Sequence, residues 1–155
     1  MLRAQMKNYK NIITLILFFF ISGDVMAVKI LRIKQALNIL GTKLKPCCAN
    51  PATGFFRDGY CNTSDIDTGK HVVCAVVNKK FLDFTKLQGN DLTTANLQKN
   101  FHGLKPGDSW CLCALRWQEA HESGCAPPIK PEATHIAALN IIDEELLQKY
   151  YIINH

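Results

Sequence analysis

The stretch His71-Val72-Val73-Cys74-Ala75-Val76-Val77-Asn78-Lys79-Lys80-Phe81-Leu82-Asp83-Phe84-Thr85-Lys86-Leu87-Gln88-Gly89 decides the fold class. Its first seven residues are rich in valine and lie between Gly69 and Asn78. They predict a strand, because β-branched side chains pack well on a pleated surface. Asn78 can accept a hydrogen bond from a first-turn amide and so cap a helix over residues 79–88. Phe81, Leu82, Phe84 and Leu87 supply the apolar face of that helix, and Gly89 stops it. A second strand–helix pair follows downstream. Trp110 to Ala114 predicts a short buried strand, and Leu115 to Ser123 a helix with Trp117, Ala120 and His121 on one face. Strands and helices mix without regular alternation. The expected fold is therefore α+β: a small single domain with a short mixed or antiparallel sheet, helices packed on it and long loops.

Working outward, Phe55-Phe56-Arg57 and Tyr60-Cys61-Asn62 flank Asp58-Gly59, the usual pair for a two-residue hairpin turn. Pro46 to Thr53 reads as a turn-rich loop. Asn90 to Ser109 is mostly loop and ends in the Lys105-Pro106-Gly107-Asp108 turn. Thr134 can cap one short helix, and Asp143 another running to about Tyr150. Val28 to Leu40 is an apolar and basic lead-in, a candidate helix ending at Gly41.

The chain has 155 residues, 48% hydrophobic and 20% charged, which suits one globular domain over residues 28–155 and excludes disorder. Its net charge is +5, but residues 1–27 carry Arg3, Lys7 and Lys10 against Asp24. What remains is 15 basic against 12 acidic residues, with no long basic run. Nucleic-acid binding needs clustered positive charge and is not expected. Ile12 to Ile21 is apolar except for Thr14 and too short to span a bilayer, so no stable membrane span is expected.

Two readings of the amino terminus stand side by side. In one, Lys7 and Lys10 precede a signal-peptide core, with cleavage after Ala27 and export to the periplasm. In the other, residues 1–25 are translated AT-rich upstream DNA. Ser22-Gly23-Asp24-Val25 then encodes a ribosome-binding stretch, and a leaderless cytoplasmic protein starts at Met26. All seven cysteines (47, 48, 61, 74, 111, 113 and 125) lie beyond this segment. Their odd number, and a domain large enough to build a core without staples, favour a reducing compartment.

Several motifs occur in a distinctive order: Asn38-Ile39-Leu40-Gly41-Thr42, Thr53-Gly54-Phe55-Phe56-Arg57-Asp58-Gly59, Val73-Cys74-Ala75-Val76 and Gly89-Asn90-Asp91-Leu92. They continue with Gly103-Leu104-Lys105-Pro106-Gly107-Asp108-Ser109-Trp110-Cys111-Leu112-Cys113-Ala114, Arg116-Trp117-Gln118-Glu119-Ala120, Ala126-Pro127-Pro128 and Ala133-Thr134-His135. Through them the chain resembles the bacterial domain-of-unknown-function family 2237 over residues 38–150. That resemblance implies no reaction. Against the family pattern, Tyr60 stands where a cysteine beside Cys61 is expected, Ser109 replaces an arginine, and Cys48 and Cys125 are additions.

Three groups of residues can carry chemistry. Cys111 and Cys113, two apart in an extended segment, would share one face. Together with Cys61, or with Cys74 or a histidine, they are candidate metal ligands, but the chain has no CxxC pair, so no metal and no cofactor is expected. As small core residues they need no function at all. Cys61, following the hairpin turn near Arg57, is the candidate reactive thiol. Among the polar residues, Arg57 and Arg116 suit a small anionic ligand, since guanidinium grips carboxylate or phosphate through two parallel bonds. Asp58, Asn90 and Asp91 would shape that site, and His135 is the candidate general base. The local alternatives are turn-making by Asp58, loop-internal bonding by Asn90-Asp91 and an Arg116–Glu119 pair. His71 and His121 read as structural or exposed. The leading expectation is a polar pocket for a small anionic metabolite. The rivals are a thiol- or metal-dependent enzyme and a non-catalytic interaction module.

Overall fold

Valine-rich β1 (Val73–Val76) pairs antiparallel with β2 (Ser109–Leu112), setting Val73 opposite Leu112, Cys74 opposite Cys111, Ala75 opposite Trp110 and Val76 opposite Ser109. This is a computed structural model, and it describes residues 35–152. Helix α1 (Lys79–Leu87) leaves β1 directly, with the Asn78 side chain accepting from the Phe81 amide at 2.8 Å. Helix α2 (Ala114–Glu122) leaves β2 in the same way and ends before Gly124. A third, short helix α3 (Glu144–Gln148) is capped by Asp143, whose carboxylate accepts from the Glu145 and Leu146 amides. Among the described residues, three α-helices, short 3₁₀ turns and a two-stranded antiparallel sheet make a small α+β fold.

The core lies where the helices meet the sheet. Trp117, Phe81, Ile129, Ile142 and Leu147 are fully buried there, each worth about 1.5–3 kcal/mol in apolar burial. Trp117 also donates its indole N–H to the Pro127 carbonyl at 3.0 Å, so its polar edge is not stranded. Ile129 bridges Ala75 on one side and Tyr151 on the other, tying the carboxyl-terminal segment to the sheet.

The lead-in is not helical where it is described. Asn38 is fully buried, and its side chain donates to Thr42 and to the Lys43 and Glu132 carbonyls while accepting from the Leu40 and Thr42 amides. A side chain that satisfies the backbone of its own turn competes with helix formation. Residues 28–34, and the amino-terminal segment on which both start readings rest, lie outside the described residues.

The expected hairpin at Asp58-Gly59 is absent as well. Residues 54–60 form a bent loop that folds back on its own approach. The Cys47 and Cys48 amides donate to the Gly59 carbonyl, and the Gly59 amide donates to that of Thr53. Arg57 and Gly59 take left-handed φ values of 57° and 84°, which Gly accepts freely and Arg does not. The loop is held by side-chain bonds and sulfur instead of strand pairing.

Two disulfides close across the sheet, Cys47–Cys74 with Cα atoms 5.7 Å apart and Cys61–Cys111 at 5.3 Å. Because Cys74 and Cys111 face each other in the ladder, the bridges pack together in one buried cluster with Ala133. This overturns the preference for a reducing compartment, since disulfides persist where the surroundings are oxidising. Cys48, Cys113 and Cys125 remain as free thiols, which accounts for the odd count.

Candidate functional site

Beside the cysteine cluster lies an open cavity of about 660 Å³. Gly54, Phe55 and Arg57 from the bent loop form one wall. His71, Trp110 and Cys111 come from the sheet and its approach, and residues 90–101 contribute Asn90, Asp91, Leu92, Thr94, Ala95, Asn96, Lys99 and Phe101. A smaller concavity of about 220 Å³ adjoins it, sharing His71, Asn90, Leu92, Trp110 and Cys111 and adding Gly69, Leu112, Cys113 and Arg116.

Arg57 is brought to the larger cavity by its left-handed backbone, with its guanidinium carbon 4.9 Å from the centre of the Trp110 ring. That cation–π contact is worth about 0.5–1 kcal/mol at an exposed site. Among the described residues it has no carboxylate partner. Neither has Lys99, on the same wall. Asp91, the one acidic wall residue, is already engaged. It accepts from the amides and hydroxyls of both Thr93 and Thr94 and pairs with Lys86 at 3.0 Å, and these bonds hold its carboxyl far below the usual range. Asn90 gives its amide to Thr85 at 3.0 Å. The cavity therefore presents two unpaired cations and no unpaired carboxylate.

Arg116 lines the smaller concavity and pairs with Glu119 at 2.8 Å, the local alternative foreseen for it. The two arginines thus stand on adjoining cavities with shared walls. Asp58 lines neither cavity. It makes the turn, accepting from the Tyr60 amide and the Asn62 side chain. His135 is also elsewhere. It caps the short 3₁₀ helix Ile136–Asn140, accepting the Ala137 amide on Nδ1, and its half-burial lowers its pKa.

The cysteine expectations change most. Cys61, expected to be reachable, is fully buried and bonded to Cys111, so neither sulfur is a nucleophile. Cys111 and Cys113 both border the smaller concavity but are not a pair of thiols on one strand face, because Cys111 is bonded to Cys61 and the strand ends at Leu112, before Cys113 opens α2. Cys113 stays a free, half-buried thiol on the wall of the smaller cavity. The sulfurs of Cys47, Cys61 and Cys74 lie within 4.8 Å of one another. As disulfides they have no thiolate to offer, so holding a metal would require reducing both bridges.

Sequence reading missed Lys99, and it missed the pair Asp67–His71. Asp67 is fully buried, accepting from His71 Nδ1 at 2.7 Å, from the His71 amide at 2.8 Å and from the Thr63 hydroxyl at 3.1 Å. Burial works to raise its pKa, but the bonds and charge of His71 and the Thr63 hydroxyl outweigh that and hold it below its ordinary value. The His71 ring stacks on Phe55 with centroids 6.1 Å apart, and its edge lies against Gly69, where any Cβ would collide at 2.7 Å. The signal was the four-residue spacing of Asp67 and His71 around Gly69, just ahead of the clearest strand.

Fold and site together define a small disulfide-bonded α+β protein with a polar, cation-lined cavity. The chain matches the family described as uncharacterized protein conserved in bacteria, DUF2237, over residues 37–151, and it belongs to that family. No curated protein matches it. Among the described residues, no helix is long and apolar enough to cross a membrane.

Proposed function

We propose that this protein binds a small anionic molecule in the larger cavity, with Arg57 as the principal contact. The observation that carries the reading is the Arg57 guanidinium: it lies over Trp110, on a cavity wall shared with Lys99, without a carboxylate partner among the described residues. Positive charge held in place by an aromatic face and left uncompensated is suited to a carboxylate or phosphate. Asn90, Thr94 and Asn96 add polar groups that can orient the ligand, and Arg116 supplies a further guanidinium on the adjoining concavity. The test is a thermal-melt series with inorganic phosphate, succinate and citrate, run against chloride at matched ionic strength. At least one of the three raises the wild-type melting temperature, since a ligand that binds only the folded state stabilises it. An unchanged melting temperature with all three refutes the reading.

The same reading includes export. Lys7 and Lys10 ahead of an apolar run, a cleavage site after Ala27 and two disulfides fit an oxidising, periplasmic setting. Protein recovered from the periplasm then begins at Val28. Recovery from the cytoplasm of chains beginning at Met26 or Ala27 contradicts it.

A further inference from the structure

We infer that the anionic ligand is a phosphate monoester with an uncharged polar body. Its phosphate sits in a third concavity, between Arg57, Lys99 and His102, and its body reaches into the larger cavity. The inference rests on the anion-binding reading and names the class of molecule that the same site takes.

The third concavity, of about 320 Å³, shares Arg57 and Lys99 with the larger cavity, so these two side chains stand at the junction. Residues 49–52 form its wall on one side, and Asn100 and His102 on the other. No acidic residue lines it, and among the described residues neither Lys99 nor His102 has a carboxylate partner. The larger cavity differs in kind. Beyond the junction its wall carries the neutral polar groups of Asn90, Thr94 and Asn96 beside Phe55 and Leu92. Its one carboxylate, Asp91, is paired with Lys86 at 3.0 Å. A second anionic group finds no free cation in that direction, whereas hydroxyls find donors and acceptors.

The backbone on both sides of the third concavity is fixed to the scaffold. The Arg57 guanidinium lies over the Trp110 ring. Phe101, between Asn100 and His102 in the chain, packs on the same indole with ring centroids 5.4 Å apart. The Asn96 and Phe101 amides each donate to the other's carbonyl, at 2.7 and 3.0 Å, closing the turn that carries Lys99 and Asn100. Just after His102, Gly103 passes so near Thr93 that a Cβ would lie 2.2 Å from its carbonyl oxygen. On the facing side, residues 49–52 are held between Cys47, bonded to Cys74, and the fully buried Thr53, whose amide donates to the Cys48 carbonyl at 3.3 Å. A site whose backbone is already fixed loses little binding energy to ordering.

The donor set favours phosphate over carboxylate. A carboxylate brings one charge and two oxygens. A phosphate monoester carries a charge of about −1.5 to −2 at pH 7 and three acceptor oxygens. Its charge matches the two cations, and its oxygens match the three side chains, Arg57, Lys99 and His102. The ester oxygen is the fourth corner of the tetrahedron, and the body attached to it leaves through the junction that Arg57 and Lys99 border.

The test is a calorimetric titration of the full chain at about pH 7.5, where a phosphate monoester is mostly dianionic. The probes are inorganic phosphate, glucose 6-phosphate and uridine 5′-monophosphate, with glucose and uridine as bodies lacking the head, all at matched ionic strength. The wild-type chain is expected to bind phosphate, and to bind at least one monoester about tenfold or more tightly, since the body adds contacts at no further cost in overall motion. Glucose and uridine alone give no measurable heat. His102→Ala weakens phosphate and that monoester alike, by about three- to tenfold, and melting curves confirm that this exposed substitution leaves the chain folded. Lys105→Ala, at an exposed lysine outside both cavities, weakens neither. Two results overturn the inference while leaving the anion-binding reading in place: monoesters that bind no more tightly than phosphate, or affinities that His102→Ala leaves unchanged. A loss in Lys105→Ala as large as that in His102→Ala also overturns it, since it marks unspecific attraction to net charge. Absence of binding by every anion overturns both readings together.

Discussion

The strand–helix half of the molecule and the bent loop beside it are held by different kinds of force. From Val72 to Gln88 and from Ser109 to Glu122, each strand runs straight into a helix, and the apolar residues that define these elements also fill the core. The segment from Cys47 to Asp67 has no strand longer than an isolated bridge. It is fixed by two disulfides, by the Thr53 hydroxyl accepting from the Cys111 amide at 2.9 Å, and by the buried Asp67 carboxylate. The first region is a scaffold stabilised by burial. The second is a binding wall stabilised by covalent and polar links to that scaffold. Loops carried on rigid elements are where ligand groups gather, and Arg57 fits that division.

Removing the largest buried side chain breaks the scaffold first. Trp117→Ala lowers stability by about 3–5 kcal/mol, read in denaturant melts, because transfer and cavity costs add. The loss is global, taking strand and loop signals together. Removing one link of the wall costs somewhat less. The double variant Cys61→Ala, Cys111→Ala releases a closure of 50 residues and loses about 2–5 kcal/mol. Anion-dependent stabilisation disappears with it, while the helical circular dichroism signal survives below the melt.

Acid separates the regions more gently. Asp67 has a folded pKa below its unfolded value, so its contribution is complete above about pH 4. It is lost as pH falls through the folded value. Below pH 4 the wild-type melting temperature therefore drops more steeply than that of Asp67→Asn, which has no such proton to take up. The smallest effect belongs to the scaffold's periphery, where Asn78→Ala removes the cap of α1 and costs about 1 kcal/mol.

The same division decides what could be read from the sequence. Asn78, Gly89 and Asp143 act on their immediate neighbours, so the caps and ends of their helices were legible within a residue or two. The Arg116–Glu119 pair was legible for the same reason. The disulfide partners were not, because 27 and 50 residues separate them and only the folded ladder brings Cys74 opposite Cys111. Asp58-Gly59 has the composition of a hairpin turn, yet flanking amides that would have paired strands turn inward, Arg57 donating to the Gly54 carbonyl and Tyr60 to the Asp58 carboxylate. Of the residues singled out from their loop positions, Arg57, Asn90 and Asp91 line the larger cavity and Arg116 the smaller, whereas Asp58 and His135 serve their own turns. Lys99 escaped notice, since nothing local distinguishes a lysine that faces a cavity from one that faces water, and the Asp67–His71 pair was missed although its four-residue spacing around Gly69 was there to read.

The most direct test of the cavity reading is a calorimetric titration of citrate into the wild-type protein, Arg57→Ala and Lys99→Ala. Both residues are exposed on the cavity wall, so without ligand Lys99→Ala leaves the melting temperature nearly unchanged and Arg57→Ala lowers it only by the modest worth of its contact with Trp110. The account predicts saturable binding to the wild type, weakened by about tenfold or more in Arg57→Ala and by less in Lys99→Ala, consistent with the larger contribution of a charge-assisted contact that is held in place. Equal affinity in all three proteins, or no binding heat in the wild type at millimolar citrate, would contradict it.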